Sequence, residues 1–336
     1  LDRAPLRIGI LGAARIARGF VDAVRPSSKV AVAAVAARDA ARATAFAQEL
    51  GIARVHGSYD ALLADPGIEA VYVPLPNNLH AQWAIRAAEA GKHVLCEKPL
   101  AANAGEARAI FAAAERCGVH VVEAYPYRAQ PQTRKVRDIL AAGTLGSVRL
   151  IQASFGFPLT DPENIRMKPD LAGGAIMDAG SYPVSFVRMV TGARPSRVQA
   201  VSRWSDSGVD LTTLATLEFA NGALAQISCT FATARHRHAF VAGDAGSLVT
   251  NYYNDTGPMF PPVIDLRHGT GWDARRETIE TAAASGFLAE AEAFHDLVRE
   301  GPSRWTGATP DESVDIAITL DALAASARAG RAVDLA

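Results

Sequence analysis

Arg7-Ile8-Gly9-Ile10-Leu11-Gly12-Ala13-Ala14-Arg15-Ile16-Ala17 decides the fold. The apolar run Arg7–Leu11 is followed by glycine, and Arg15–Val24 has helical spacing, so the stretch reads as strand, tight turn, helix. In a GxGxxG turn the first glycine makes the bend, the second lets backbone approach a pyrophosphate, and the third permits close packing of helix on strand. Those places hold Gly12, Ala14 and Ala17. Alanine is ordinary at the third, but Ala14 puts a methyl group where backbone meets phosphate. The motif therefore draws its weight from its context, a strand running into a helix N-terminus that can hold an anion. It predicts cofactor contacts from Gly12, Ala14, Arg15 and Ile16.

The same rhythm repeats along the chain. Val30–Ala37 is a continuous apolar run suited to a strand buried on both faces, and Asp39–Leu50 is an alanine-rich helix closed by Gly51. Strand candidates at Arg54–His56, Ala70–Pro74 and Val94–Cys96 are each trailed by a helix, at Ser58–Leu63, Leu79–Ala90 and Ala104–Cys117. Such alternation implies a parallel sheet with helices on both faces, a Rossmann dinucleotide-binding domain over residues 1–124.

Beyond Val119–Glu123 the pattern changes. One helix near Gln132–Ala141 is followed by strand candidates at Ser147–Phe155, Val198–Ser205, Thr212–Phe219 and Ala223–Phe231, with Asn221-Gly222 as a hairpin signal. Two helices, Leu288–Arg299 and Pro310–Ala329, end the chain. Residues 125–336 thus read as an α+β domain with a large, mostly antiparallel open sheet for substrate binding and oligomerisation. An open sheet needs its second face covered, which points to a homo-oligomer, dimer or tetramer.

Composition excludes several classes. The 336 residues are 49% apolar and 21% charged, with Lys+Arg 34 against Asp+Glu 35, so no basic excess suggests nucleic acid and no acidic tail suggests disorder. Cys96, Cys117 and Cys229 lie far apart without CxxC spacing, which reads as buried free thiols rather than a disulfide framework or zinc site. The run Val30–Ala37 is too short to span a bilayer and Leu1–Ile10 lacks a signal-peptide apolar segment, so the expectation is a cytoplasmic protein. A start at Leu1 rather than Met leaves an exported form with a removed leader open.

Ribose recognition is read at the end of the second strand, where an acidic residue suits a 2′-hydroxyl and arginine a 2′-phosphate. Ala37-Arg38-Asp39 stands there, with Arg42 one helical turn on, so NADP is favoured and NAD stays possible through Asp39. Asp39 has a second reading as a helix N-cap, and Arg38 as a solvated side chain.

Four stretches together resemble the Gfo/Idh/MocA oxidoreductases across nearly the whole chain: Gly9–Ala17, Val71–His80, Ala90–Leu100 with Glu97-Lys98-Pro99, and Gly173–Tyr182. The chain is most similar to the branch of dihydrodiol dehydrogenases, D-xylose dehydrogenases and glucose–fructose oxidoreductase, whose last motif carries tyrosine. The resemblance implies that Lys98 lies at the nicotinamide end of a cleft, held by Glu97 with Pro99 fixing the backbone, and that Tyr182 is the acid/base. A phenol, with an unperturbed pKa near ~10, is a poor base at neutral pH until a neighbouring ammonium stabilises its anion. Asp178 would orient Lys98 or bind a substrate hydroxyl, and Pro74, Asn77 and His80 would meet the cofactor near its nicotinamide ribose.

Plainer readings stand beside these. Lys98 could be a solvated strand-end lysine, Tyr182 a core aromatic, Asp178 the N-cap of a helix through Val184–Val190, and His80 a helix-start hydrogen-bonder. Relatives read close to Tyr-Arg-Phe-His-Pro at the domain junction, whereas this chain has Tyr127-Arg128-Ala129-Gln130-Pro131; Arg128 is kept as a substrate-binding candidate, and the substrate's identity is not transferable. Arg235-His236-Arg237-His238 puts two imidazoles on one strand face, with no carboxylate or cysteine near in sequence, and reads as a polar sheet face or subunit contact; no metal is expected. The expected function is hydride transfer between nicotinamide C4 and a sugar or related cyclic polyol or carbonyl compound. The rival is a catalytically silent dinucleotide sensor of the same fold. No nucleic acid or membrane partner is expected.

Overall fold

The computed structural model describes residues 4–335, so the first three residues of the leader reading lie outside it. In chain order the elements begin β1 (Leu6–Leu11), α1 (Arg15–Val24), β2 (Val30–Ala36), α2 (Ala40–Leu50), β3 (Arg54–His56), α3 (Tyr59–Leu63), β4 (Ala70–Val73), α4 (Asn77–Glu89), β5 (His93–Glu97), α5 (Ala104–Cys117), β6 (Val121–Ala124) and α6 (Pro126–Ala129). They continue α7 (Pro131–Ala141), β7 (Val148–Gly156), a π turn (Ile176–Gly180), α8 (Ser181–Thr191), β8 (Arg197–Trp204), β9 (Asp210–Glu218), β10 (Leu224–Thr230), β11 (His236–Gly243) and β12 (Gly246–Asn251). Last come β13 (Val263–His268), β14 (Arg275–Glu280), α9 (Gly286–Glu300), α10 (Pro310–Ala329) and β15 (Val333–Asp334).

Contacts group the described chain into two compact units. The first, residues up to Ala129 together with Ser285–Pro310, holds a six-stranded parallel sheet in the order β3-β2-β1-β4-β5-β6. This is the doubly wound dinucleotide-binding order, whose ligand crevice opens beyond the carboxyl ends of the strands where the order reverses, here between β1 and β4. Local chemistry sets the helix ends: the Asp39 side chain accepts from the Ala41 and Arg42 N–H groups to cap α2, and Gly51, at φ +72°, ends it.

The segment Ser285–Pro310 corrects the contiguous division at residue 125, because it joins the first unit. The reason is its apolar strip: Phe287, Ala291, Phe294 and Leu297 of α9 are buried in one cluster with Leu6, Ile8, Phe20, Val24 and Val30. Each large side chain so buried is worth roughly 1.5–3 kcal/mol of transfer free energy. Arg299 and Lys29 add ion pairs at the edges, to Glu69 and Asp296.

The second unit, Gln130–Ala284 with Asp311–Ala336, is built on a nine-stranded sheet in the order β14-β13-β12-β11-β7-β10-β9-β8-β15. Every pair is antiparallel except β7 with β10. Four of these strands match the sequence expectation. The stretches β11 to β14 lie outside that expectation, and β14, Arg-Arg-Glu-Thr-Ile-Glu, has no buried residue and so no apolar face to read. One face is covered: the Ser326 hydroxyl of α10 accepts from the Ala200 N–H of β8, and Tyr182 and Phe186 of α8 are buried. The other face leaves Leu150, Val201, Leu214, Leu224 and Val249 exposed. Cys96 and Cys229 are buried, their thiols pushed well up by burial, whereas Cys117 is exposed, contrary to the expectation for it.

Candidate active site

In the first unit the residues singled out in sequence gather at the carboxyl ends of the parallel strands. Gly12 follows β1 at φ +114°, its N–H donating to the Ala36 carbonyl at 2.7 Å, and a Cβ there would stand 3.0 Å from Leu75 Cδ2, just beyond β4. Glycine is thus favoured by the backbone conformation, and a Cβ there would also press on the Leu75 side chain. Ala14 is the N-cap of α1 and offers no side-chain acceptor, and the first turn, with Arg15 and Ile16 exposed, contains no acidic residue. The Ala17 N–H closes onto the Ala14 carbonyl at 3.2 Å, which leaves the Arg15 and Ile16 N–H groups to an external acceptor, and no acidic side chain in the turn repels an anion.

At the end of β2, exposed Arg38 and Arg42 flank Tyr59, whose phenol is raised by burial and brought partly back by the two guanidinium charges. Asp39, engaged as the cap of α2, has its carboxylate turned to backbone. The corner presents two cations and suits a phosphate.

The Glu97-Lys98-Pro99 turn leaves β5 with a cis Lys98–Pro99 peptide and is braced from three sides. Tyr72 donates to Glu97 Oε1 at 2.6 Å. His80 holds the Pro99 carbonyl at 2.7 Å through Nδ1 and the Leu75 carbonyl at 2.8 Å through Nε2. Glu123 accepts the Leu100 N–H at 2.9 Å. Lys98, half-buried, therefore leaves a backbone that these bonds hold in place. His80 is wholly buried with both ring nitrogens engaged, so it braces the loops after β4 and β5, in keeping with its reading as a helix-start hydrogen-bonder. Burial lowers its pKa most; the two carbonyls oppose that, and Lys98 adds to it. Pro74 and Asn77 lie in the β4–α4 connection and first turn, beside Leu75. Arg128 lies in α6 and is 2% exposed.

In the second unit Tyr182 lies in the first turn of α8, 4% exposed. Its hydroxyl accepts from Asn254 Nδ2 at 3.0 Å, its ring meets Phe155 edge-on at 5.3 Å, and the Arg237 guanidinium carbon sits 4.0 Å from its centroid. Asp178 is in the π turn and pairs with Arg166 at 2.8 Å; the N-cap of α8 is Gly180, so the capping reading of Asp178 is set aside. Gln130, where relatives are read with histidine, donates to the carbonyls of Tyr253 and Asn254 and accepts from Thr256, anchoring the segment that carries Asn254. The outward His236 and His238 rings are 5.9 Å apart, and among the described residues no three His, Cys, Asp or Glu side chains gather as a metal site.

Sequence reasoning missed Arg237 and Asn254. Alternation along β11 was the available signal: it sends Arg237 to the face opposite His236 and His238, where a buried cation demands a reason. Asn254 lies in an irregular segment that periodicity cannot read.

Among the described residues no helix is long and apolar enough to cross a membrane. The first-unit residues fit a dinucleotide: a glycine turn at positive φ, N–H donors without a side-chain cap, and a two-arginine corner. Comparison with known proteins agrees. The chain is 41% identical over 337 residues to D-xylose 1-dehydrogenase (NADP(+)) 2 of Haloferax volcanii, covering 98% of this chain and all of that protein. It is 38% identical to trans-1,2-dihydrobenzene-1,2-diol dehydrogenase of Mus musculus, over 72% of this chain and 73% of that one. A 3-ketoreductase of Actinomadura kijaniata, solved with NADP and TDP-benzene, superposes with a TM-score of 0.84 at 33% identity, covering 96% of this chain and 98% of that one. That enzyme has also been crystallised with one lysine and, separately, one tyrosine replaced, two positions separated by the same number of residues as Lys98 and Tyr182 here. Residues 6–125 match the oxidoreductase family with an NAD-binding Rossmann fold, and residues 133–249 match the GFO/IDH/MocA C-terminal domain. The chain belongs to the Gfo/Idh/MocA family of oxidoreductases.

Proposed function

We propose that the protein is an NADP-dependent dehydrogenase or reductase of a sugar or related cyclic polyol or carbonyl compound, with Tyr182 as acid/base and Lys98 as its assistant. The observation that carries the reading is the braced Glu97-Lys98-Pro99 turn, set on the same strand-end edge as Gly12. NADP supplies the hydride acceptor. The chain's own part is to bind and to move a proton. The Gly12–Ile16 turn would take the pyrophosphate, Arg38 and Arg42 the 2′-phosphate, and Pro74, Asn77, Glu97 and Lys98 the nicotinamide end. Asp178, joined to Arg166, would orient Lys98 or bind a substrate hydroxyl. The lysine and tyrosine spacing shared with the ketoreductase supports the same assignment, and NADP binding by that enzyme supports the coenzyme choice.

The test is to incubate the protein with NADP⁺ and a panel of aldoses, D-xylose among them, polyols and a trans-dihydrodiol, and to follow absorbance of the reduced coenzyme. Tyr182→Phe should lower kcat by ~10²-fold or more with coenzyme affinity unchanged. Near-wild-type turnover in that variant would remove Tyr182 from the mechanism. Absence of turnover across the panel, with NADP⁺ still bound, would favour the silent sensor.

The open face of the nine-stranded sheet we assign to a second copy of the chain. Its cross-strand rows place Gln152, Gln226, Thr216 and Gln199 side by side, with Leu150 and Leu224 paired in one neighbouring row and Leu214 and Val201 in the other. Uncharged amides both donate and accept, so a two-fold copy meets groups complementary to its own. Leu214→Arg should convert the oligomer to monomer in sedimentation; a wild-type chain that sediments as monomer refutes the assignment.

A further inference from the structure

We propose that Asn254, oriented by Arg237, is a positioning residue that sets the donor–acceptor direction of the Tyr182 hydroxyl. The proposal rests on Tyr182 being the acid/base. Asn254 Oδ1 accepts from Arg237 Nη1 at 3.0 Å, and a guanidinium has no acceptor, so the amide has one orientation and its Nδ2 is the end turned to Tyr182. The Tyr182 oxygen consequently accepts from Asn254, and its own hydrogen must point along another direction. Arg237 is itself held firmly: Nη1 donates also to the Tyr252 carbonyl at 3.1 Å, and the guanidinium carbon stands 3.9 Å from the Phe155 centroid and 4.0 Å from that of Tyr182. A cation this close to two ring centroids cannot swing away without losing both contacts. Gln130 donates to the Asn254 carbonyl and so anchors its backbone.

The consequence for proton movement is directional. When the Tyr182 proton passes to a substrate oxygen, the O–H bond that breaks leaves its electron pair on Oη, and the new O–H bond forms on substrate. Oη then faces an N–H donor already in place and a cation over its ring, so no group has to turn during the transfer. In reverse, Oη takes back the substrate hydroxyl's proton on the side not filled by Asn254.

Asn254→Asp tests this, because it keeps the shape and the Arg237 partner but turns the donor into an acceptor. We expect kcat for D-xylose, or for whichever panel substrate is turned over, to fall by about 10²-fold, with KM and NADP⁺ affinity within about twofold. The kcat–pH profile should move to the alkaline side, since a carboxylate facing Oη favours keeping its proton. Asn254→Ala, which only deletes the donor, should lose about tenfold. In a Tyr182→Phe background neither change should cost anything further. Melting temperature and NADP⁺ affinity report folding, and the isosteric aspartate serves if alanine does not fold. Full turnover in both Asn254 variants while Tyr182→Phe is crippled overturns this inference alone. Undiminished turnover in Tyr182→Phe overturns the parent reading with it, and an equal loss in the Tyr182→Phe background shows Asn254 acting by another route.

Discussion

The backbone N–H of His120 donates to Nδ1 of His93 at 3.0 Å, so the His93 ring is held as an acceptor and a second proton on it would break that bond. The rings stack at 5.4 Å. Burial, then the charges of His120 and Arg299, lower the His93 pKa to about 4, with Glu69 opposing. An unfolded imidazole titrates near ~6.5, so between those values the unfolded chain binds more protons than the folded one. Stability contributed by neutral His93 is complete above about pH 6.5 and is lost as pH falls toward 4. Urea midpoints across this range should fall less steeply for His93→Asn, which keeps an acceptor and does not titrate. An identical slope would place the acid sensitivity elsewhere.

Glu290 behaves in the opposite sense. Its carboxyl is buried in α9 near Glu97 and Glu123; burial first, then Glu97 and Glu123, push its pKa well up, against the Tyr125 N–H. The folded state therefore holds a proton that the unfolded chain releases near ~4.3, and stability falls as pH rises from there. Glu290→Gln should stabilise the protein at neutral pH by on the order of 1–2 kcal/mol, more at pH 8 than at pH 5. Calorimetric melting at the two pH values measures the difference, and a destabilised variant at both would show that the charge, not the acid, is native.

Arg38 should separate the two coenzymes. Replacing it with alanine removes a charge from the corner it shares with Arg42, so KM for NADP⁺ should rise about tenfold or more while KM for NAD⁺ changes within about twofold. Equal effects on both would mean that Arg38 does not read the 2′-phosphate.

Two glycines with positive φ distinguish conformational strain from lost binding. Gly12→Ala combines φ +114° with a 3.0 Å approach to Leu75, whereas Gly51→Ala, at φ +72°, meets nothing within 4 Å. Both should cost about 1–2 kcal/mol of stability. Only Gly12→Ala should also weaken NADP⁺ binding, which fluorescence titration of the two variants compares directly.

Much of the parallel half was legible because its strands are short, apolar and punctuated: Val30–Ala36, Ala70–Val73 and His93–Glu97 fall within a residue or two of where the run lengths put them. The Glu97-Lys98-Pro99 turn was legible as a motif, but its braces were not, since His80 and Glu123 reach it from other elements. Strand β14 escapes because Arg-Arg-Glu-Thr-Ile-Glu carries a single apolar residue and no buried face, so no hydrophobic period reports it. Arg237 and Asn254 escape for a further reason: their meaning lies in a hydrogen-bond direction that exists only once β11 and the segment after β12 are side by side.

The helix α9, donated by the far end of the chain to the N-terminal core, governs how this protein can be cut and recombined. A fragment stopping at Ala129 would leave Phe20 and Val24 wet where Phe294 and Leu297 belong. Chimeras between relatives must therefore exchange two separate pieces, 130–284 and 311 onward, while Ser285–Pro310 travels with the amino-terminal half whose interior it completes.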